Sequence, residues 1–260
     1  MTTTSQQQHQ HEGHAEHHGP RARALPDVVD RAAWLEERNA LLVREKAHTH
    51  EGDAIAAARR RLPMTEVAVR DLVGDNGPTS LLDIFDGRDE LLVYKHMFHT
   101  GMPIEDQCEG CTFSVWNLHD TSYLAAAGIS FAVFCEGPWD EAAQLRDFMG
   151  YTLPWYSVAG VDDPALAGEF GTLACFVREG DRVFLTYDTT GRGIEAILPQ
   201  IQLLDMTPFG RREAWQDSPE GRVGEHDPCW YWRKDGRPTA QWTRPGATPV
   251  DPNIPHRHHH

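Results

Sequence analysis

The chain has 260 residues, 40% of them hydrophobic, and a formal net charge of -15 at pH 7. This length allows one large domain, or one domain with sizeable extensions. The acidic balance argues against non-specific binding to nucleic acid or anionic membranes, and no stretch is apolar for long enough to span a bilayer. Because the first 20 residues lack the apolar segment of a secretory signal peptide, a cytoplasmic protein is expected.

The N-terminal part divides into a His-rich, disordered tail at residues 1–26 and a helical arm at residues 27–64. Asp30 can cap a helix that runs to about Arg61 and stops before Pro63. Within it, large side chains recur every seven residues, close to two helical turns, at Trp34, Leu41, His48, Ile55 and Leu62. This stripe predicts a buried face, which would direct His48 towards the core.

Strand and helix patterns then alternate over residues 65–205, which predicts an α/β domain with a mixed sheet. The strand patterns cover residues 65–73, 91–98, 129–135 and 153–158, and a hairpin pairs residues 172–178 with 182–188. Helices are predicted over residues 113–127, 139–149, 164–170 and 193–204. Residues 206–260 are rich in Trp, Pro and Gly and show no clear periodicity of a strand or helix. They predict an irregular extension that packs its aromatic side chains on the domain or on a second subunit, as in a homodimer.

The central pattern is an apolar strand, residues 91–98, followed by His99, a loop and the pair Cys108-x-x-Cys111 at a helix start. Strand, loop and CxxC in this order are typical of thioredoxin. A helix N-terminus lowers a thiol pKa, so a reactive thiolate is expected at neutral pH. The site is therefore predicted to be a redox site or a metal site.

Several long motifs resemble the thioredoxin-like DUF899 family. They are ARRRLPM at residues 58–64, DIFDGRDELLVY at 83–94, Met97-Phe98 before the CxxC, and LLDMTPFGR at 203–211. The resemblance covers about residues 27–217. It implies a thioredoxin-like fold with a mixed central sheet, an N-terminal helical extension and an irregular Trp-rich C-terminal extension.

The second half is also similar to peroxiredoxins, through LPWYSVAG at residues 153–160 and the segments that follow it. The peroxiredoxin motif Pro-x-x-x-Thr-x-x-Cys is missing, however. Counted back from Cys111, its Thr position holds Cys108 and its Pro position holds Ile104. This departure puts ordinary peroxidase activity in doubt.

Residues expected to bind substrate follow from the same resemblance. Pro154, if cis, would shape a substrate groove, and Arg182 and Arg192 could hold an anionic substrate or lower a thiol pKa. For the two arginines the alternative is surface salt bridging. Tyr187 could line the site or belong to the core.

The chemistry at the cysteines is left open between three hypotheses. In the first, Cys108 is the nucleophile of a redox dithiol and Cys111 resolves the intermediate, with a small molecule or a thiol as substrate. In the second, Cys108, Cys111, His48 and His99 hold copper, with zinc as an alternative, either to oxidise a small organic substrate or to handle the metal without catalysis. In the third, the pair is an inert part of a structural or interaction module. No glycine motif indicates a nucleotide cofactor.

Overall fold

The structure, a computed structural model, describes residues 24–234 and 236–241. Its helices are α1 (Arg31–Arg59), α2 (Leu81–Ile84), α3 (Glu109–Trp116), α4 (Ser122–Ala126), α5 (Trp139–Met149), α6 (Pro164–Ala167) and α7 (Pro199–Asp205). Its strands are β1 (Thr65–Val67), β2 (Asp71–Gly74), β3 (Gly77–Ser80), β4 (Glu90–His96), β5 (Ile129–Cys135), β6 (Trp155–Ser157), β7 (Thr172–Glu179), β8 (Arg182–Thr189), β9 (Arg233–Lys234) and β10 (Arg237–Pro238). Short 3₁₀ segments lie at Ile104–Asp106, Gly191–Ile197, Trp230–Trp232 and Thr239–Gln241. The tail prediction falls mainly on residues 1–23, outside the described residues.

Strands β1 to β8 form one mixed sheet in the order β1-β8-β7-β4-β5-β6-β2-β3. Strand β4 lies in its middle, parallel to β5 and antiparallel to β7. The predicted hairpin is present as β7 and β8. The predicted thioredoxin-like α/β fold is confirmed. It places the residues that follow β4 just beyond the carboxyl end of a central strand.

Strand β4 is buried on both faces because successive side chains point to opposite sides of the sheet. On one face, Tyr94 belongs to an apolar core with Val115 of α3 and Leu145 of α5. On the other face, Val93 belongs to a second core with Phe176 of β7. Because each face of β4 packs into an apolar core, the strand is held firmly and fixes where the following loop and helix begin.

Helix α1 starts after Asp30, whose carboxylate accepts hydrogen bonds from backbone amides of the first turn, as predicted. None of its residues is buried, so the prediction of a buried stripe is wrong. Trp34 and Leu41 remain 45% and 47% exposed, and His48 is also exposed. The physical reason is that other elements already cover both faces of the sheet, α3 and α5 on one side and α2 and α6 on the other. In the described parts of the chain, no helix is both long and apolar enough to cross a membrane.

Three predicted elements are split in the structure. The helix expected over residues 193–204 is the 3₁₀ segment Gly191–Ile197 followed by α7. The helix expected over residues 113–127 is two helices, and α3 begins directly after Cys108. Asn117 ends α3 and donates its side-chain amide to the Phe113 carbonyl at 2.7 Å. The strand expected over residues 65–73 becomes β1 at one edge of the sheet and β2 near the opposite edge, where β2 pairs with β3 in a hairpin.

The C-terminal extension is more ordered than predicted. We call residues 230–234 and 236–241 the C-terminal strap. It contains two 3₁₀ segments and a small antiparallel hairpin of β9 and β10. Its Trp232 ring lies 5.5 Å from the Phe113 ring of α3, centroid to centroid. The expectation that this region packs aromatic side chains on the domain therefore holds within the strap, and the packing is on the helix that carries Cys111.

Candidate functional site

Cys108 is the N-cap residue of α3, the place where the helix presents unpaired backbone amides. Its sulfur accepts a hydrogen bond from the Cys111 backbone amide at 3.5 Å. The pKa of the Cys108 thiol is lowered, mainly because the Cys111 thiol hydrogen-bonds to its sulfur. Burial opposes this, the Cys111 and Gly110 amides assist it, and the Glu109 charge acts against it. Cys108 is half-buried, so the sulfur with the lowered pKa is partly open to a substrate.

Cys111 has the opposite character. It is 2% exposed, and its sulfur accepts a hydrogen bond from the Met97 backbone amide at 3.3 Å. Its pKa is raised well above the usual value, first by the hydrogen bond to Cys108 and then by burial. Both cysteines are free thiols. The pair therefore combines a partly exposed thiol of lowered pKa with a buried thiol of raised pKa.

Tyr94 of β4 lies beneath the pair and was missed by the sequence analysis, because an aromatic residue on a buried strand is usually core. It is 1% exposed. Burial, and next the neighbouring Cys111, raise its phenol pKa well above the usual value. Its hydroxyl hydrogen-bonds with Cys111, which favours the Cys111 thiolate, and with Ser114 of α3. Tyr94 thus fixes the position of the buried sulfur.

His96 is the last residue of β4 and is fully buried. Its ring lies 5.1 Å from the Trp155 ring and 6.3 Å from the Tyr94 ring. Neither ring nitrogen has a partner with hydrogen-bond geometry among the described residues. Burial lowers its pKa to about 4, so the ring is neutral at pH 7. His99 was the predicted metal ligand at the end of this strand, but His96 is the histidine that shares the buried face with Tyr94.

The loop between β4 and α3 is held by Gln107, which is 1% exposed. Its side-chain oxygen accepts from the His99 amide at 2.9 Å, and its side-chain nitrogen donates to the carbonyls of His99 and Met102 at 3.0 and 3.2 Å. A single side chain thus pairs three backbone groups that would otherwise need water or other partners. The loop is long but fixed, and it delivers Cys108 to the start of α3.

The C-terminal strap covers the first turn of α3. Arg233 forms an ion pair with Glu109 at 2.9 Å and donates to the carbonyls of Glu105 and Gln107 at 3.1 and 3.4 Å. The Trp232 ring lies on Gly110, where an added Cβ would come within 2.8 Å of it. Gly110, between the two cysteines, is therefore the residue that lets this ring approach the helix. No local sequence pattern indicates these contacts.

The predicted metal ligands are only partly brought together. Cys108 and Cys111 are neighbours, but His48 lies exposed on α1 and His99 lies half-buried in the loop. Across residues 24–234 and 236–241, no group of three or more His, Cys, Asp or Glu side chains is placed to hold a metal ion. The four-residue set of Cys108, Cys111, His48 and His99 is thus not assembled, because α1 does not pack where the stripe predicted.

The predicted substrate-binding residues lie apart from the thiols. Arg182 pairs with Glu66 at 2.8 Å and is in register with Glu179, at the end of the sheet opposite the CxxC. Tyr187 lies on β8, separated from β4 by β7, beneath the Arg59 guanidinium at 5.0 Å. These placements favour structural roles for both residues.

The other two members of that set are exposed. Arg192 follows β8 and pairs with Glu195 at 2.9 Å, the surface salt bridge weighed as an alternative. Pro154 is exposed, and the peptide bond before it is trans. The conditional role of a cis Pro154 therefore does not apply to this structure.

Comparison with known proteins adds a family and a set of structural neighbours. The model of a family described as "Bacterial protein of unknown function (DUF899)" matches residues 23–237. No curated protein matches the chain. Among solved structures, the chain is similar to peroxidoxin BcpB from Mycobacterium tuberculosis, with 16% identity, 54% of this chain and 92% of that chain covered, and a TM-score of 0.38. It is also similar to a DsbF homologue from Corynebacterium diphtheriae, with 15% identity, 53% and 85% covered, and a TM-score of 0.33.

Proposed function

We propose that this chain, which belongs to the DUF899 family of bacterial proteins of unknown function, is a thiol–disulfide oxidoreductase with Cys108 and Cys111 as its reactive pair. The observation that carries the proposal is the opposite character of the two sulfurs. Cys108 is half-buried with a lowered pKa, and Cys111 is buried with a raised pKa. A redox dithiol needs one thiolate to attack and one thiol held in reserve.

The reaction follows from this asymmetry. The Cys108 thiolate attacks one sulfur of a substrate disulfide, a new S–S bond forms, and the second substrate sulfur leaves as a thiolate that takes up a proton. Cys111 then loses its proton and attacks the Cys108 sulfur, which releases the first substrate sulfur. The products are two substrate thiols and a Cys108–Cys111 disulfide. The two electrons gained by the substrate come from the two cysteines.

The surroundings of the pair support this chemistry. The Cys111 sulfur is positioned by the Met97 amide and by Tyr94, so it needs no large movement to reach Cys108. Acidic residues near Cys108 oppose the thiolate, but Glu109 is paired with Arg233. The substrate class we propose is a small disulfide, such as a low-molecular-weight thiol in its oxidised form.

The test uses reduced full-length protein and the chromogenic disulfide 5,5′-dithiobis(2-nitrobenzoate). Wild-type protein should release two equivalents of thiolate rapidly and form the Cys108–Cys111 disulfide. Cys111→Ser should release one and retain a mixed disulfide on Cys108, visible by mass spectrometry. Cys108→Ser should lose the fast phase, while the control Cys175→Ser should keep both equivalents. Fast release that persists in Cys108→Ser would overturn the assignment.

Copper or zinc at Cys108 and Cys111 is a second proposal, from the chemistry of two adjacent sulfurs, which are soft metal ligands. Metal titration of the same variants separates it from the first. Near-stoichiometric binding that Cys108→Ser abolishes would favour the metal site. Thiols that bind no metal and react with no disulfide would leave the inert structural pair.

A further inference from the structure

A cavity that is partly open to solvent lies on the side of α3 that faces away from the sheet. Its volume is about 710 Å³, within the range of small-molecule sites. Its walls come from α3, α7, the segment 207–212 that follows α7, and the C-terminal strap. The apolar part of the lining includes Phe113, Trp116, Leu203, Leu204, Trp230 and Tyr231. Neither cysteine lines it, so it is separate from the dithiol.

The aromatic side chains of the walls are held in place by contacts with neighbouring residues. The Trp230 indole nitrogen donates to the Arg211 carbonyl at 3.0 Å, and its ring stacks on His226 at 3.9 Å. The Phe113 and Trp232 rings, which also line the cavity, pack together. A cavity with walls fixed in this way can receive a ligand without first being opened.

The charged residues that line the cavity differ in whether they form ion pairs. Glu109 is paired with Arg233, and Arg211 is paired with Asp205 and Glu195. Arg212 also lines the cavity and is exposed, and no ion-pair partner for it lies within the described ranges. The cavity therefore offers apolar walls and one unbalanced positive charge.

We propose that this cavity binds an apolar carboxylate, with its hydrocarbon or aromatic body between α3, α7 and the strap and its carboxylate beside Arg212. Apolar walls supply affinity by removing the body from water, and the guanidinium supplies selectivity for an anion over a neutral molecule of the same shape. The proposal is independent of the proposed thiol chemistry.

Isothermal titration calorimetry with naphthalene-2-carboxylate and naphthalene-2-carboxamide tests this in full-length protein. The two probes share an apolar body and differ in charge. The carboxylate should bind saturably at one site, about fivefold more tightly than the carboxamide. Arg212→Gln should remove that preference, while Arg70→Gln, an exposed arginine on another part of the domain, should retain it.

A second pair of variants tests the location. Leu203→Glu places a carboxylate in the cavity wall at a side chain that is already 60% exposed, so it should fold and lose binding of the carboxylate by more than about tenfold. Met206→Glu adds the same charge at the end of α7, outside the lining residues, and should bind as wild type. Absence of saturable binding, equal affinity for both probes, or equal loss in both glutamate variants would overturn the proposal. Binding that persists when the Cys108 and Cys111 thiols prove inert would support this site while refuting the oxidoreductase.

Discussion

Arg233 of the C-terminal strap holds Glu109 in an ion pair, with 2.9 Å between the guanidinium and the carboxylate. Glu109 immediately follows Cys108, and its charge raises the pKa of the Cys108 thiol. A residue more than a hundred positions later in the chain therefore balances the carboxylate closest in sequence to the proposed nucleophile. The strap is part of the electrostatics of the site, in addition to being its cover.

Arg233→Gln should move the pH midpoint of Cys108 alkylation upwards, because the unbalanced Glu109 charge then opposes the thiolate more strongly. Glu109→Gln should move the same midpoint downwards. Iodoacetamide labelling of Cys108, followed by mass spectrometry across pH, measures both. Arg88→Gln breaks a comparable ion pair with Asp86, at 2.6 Å, and is the matched control. A shift in the same direction for Arg233→Gln and Glu109→Gln would contradict the prediction.

Gly110→Ala should displace the Trp232 ring from α3, because the new methyl group would lie 2.8 Å from a ring carbon. We expect a red shift in tryptophan fluorescence and faster alkylation of Cys108. Gly52→Ala is the control, since a Cβ there meets nothing within 4 Å and should stabilise α1 by about 1 kcal/mol. An unchanged spectrum and an unchanged alkylation rate in Gly110→Ala would show that the ring is not held at this position.

His96 should make the protein less stable in acid. Its folded pKa is about 4 against an ordinary value of 6.5, so the unfolded chain binds the extra proton first. The stability that this residue contributes is complete above about pH 6.5 and is lost as the pH falls towards 4, by up to about 3 kcal/mol. Urea unfolding of wild type and His96→Phe at several pH values measures this. Between pH 6.5 and 4 the free energy of unfolding should fall less steeply with decreasing pH in His96→Phe than in wild type. His50→Phe, on the exposed face of α1, should show the wild-type pH dependence. The same pH dependence in wild type and His96→Phe would refute the prediction.

Helix α1 should mediate a homodimer, because its apolar stripe is exposed and repeats every seven residues, the spacing of a helix that packs against another helix. Trp34→Glu combined with Leu41→Glu should convert the dimer to a monomer in light scattering. Val43→Glu lies about 200° further round the helix from Leu41 and should leave the dimer intact. A monomeric wild-type protein would rule out this role for the arm.

The sequence was sufficient for features that depend on local pattern. The apolar run of β4, the CxxC at the start of α3 and the β7–β8 hairpin each follow from neighbouring residues, and all three are present. The periodicity predicted correctly that α1 is a helix, but it did not show what the helix packs against. His48 was therefore predicted to lie on a buried face, whereas no residue of α1 is buried. The seven-residue repeat of α1 is compatible with packing against a second copy of the chain as well as against a core.

The missed parts of the site depend on contacts between residues far apart in sequence. From the sequence, Tyr94 is expected to be a core aromatic residue, and only the fold shows that it contacts Cys111. Likewise, Arg233 is expected to be a surface charge, and only the fold shows its ion pair with Glu109. Arg182 was predicted near the site by resemblance, but the hairpin register puts it at the opposite end of the sheet. No local pattern encodes register or distant pairing, so these assignments needed the structure.

The separation of 124 residues between Glu109 and Arg233 also has a meaning for biosynthesis. At bacterial elongation rates of roughly 5–20 residues per second, the ribosome adds the strap on the order of 6 to 25 s after Cys108. During that interval the nascent chain carries both cysteines without the arginine that later pairs with Glu109 and the tryptophan that later lies on Gly110. The first turn of α3 is therefore more open to oxidants and to metal ions until the strap has been synthesised.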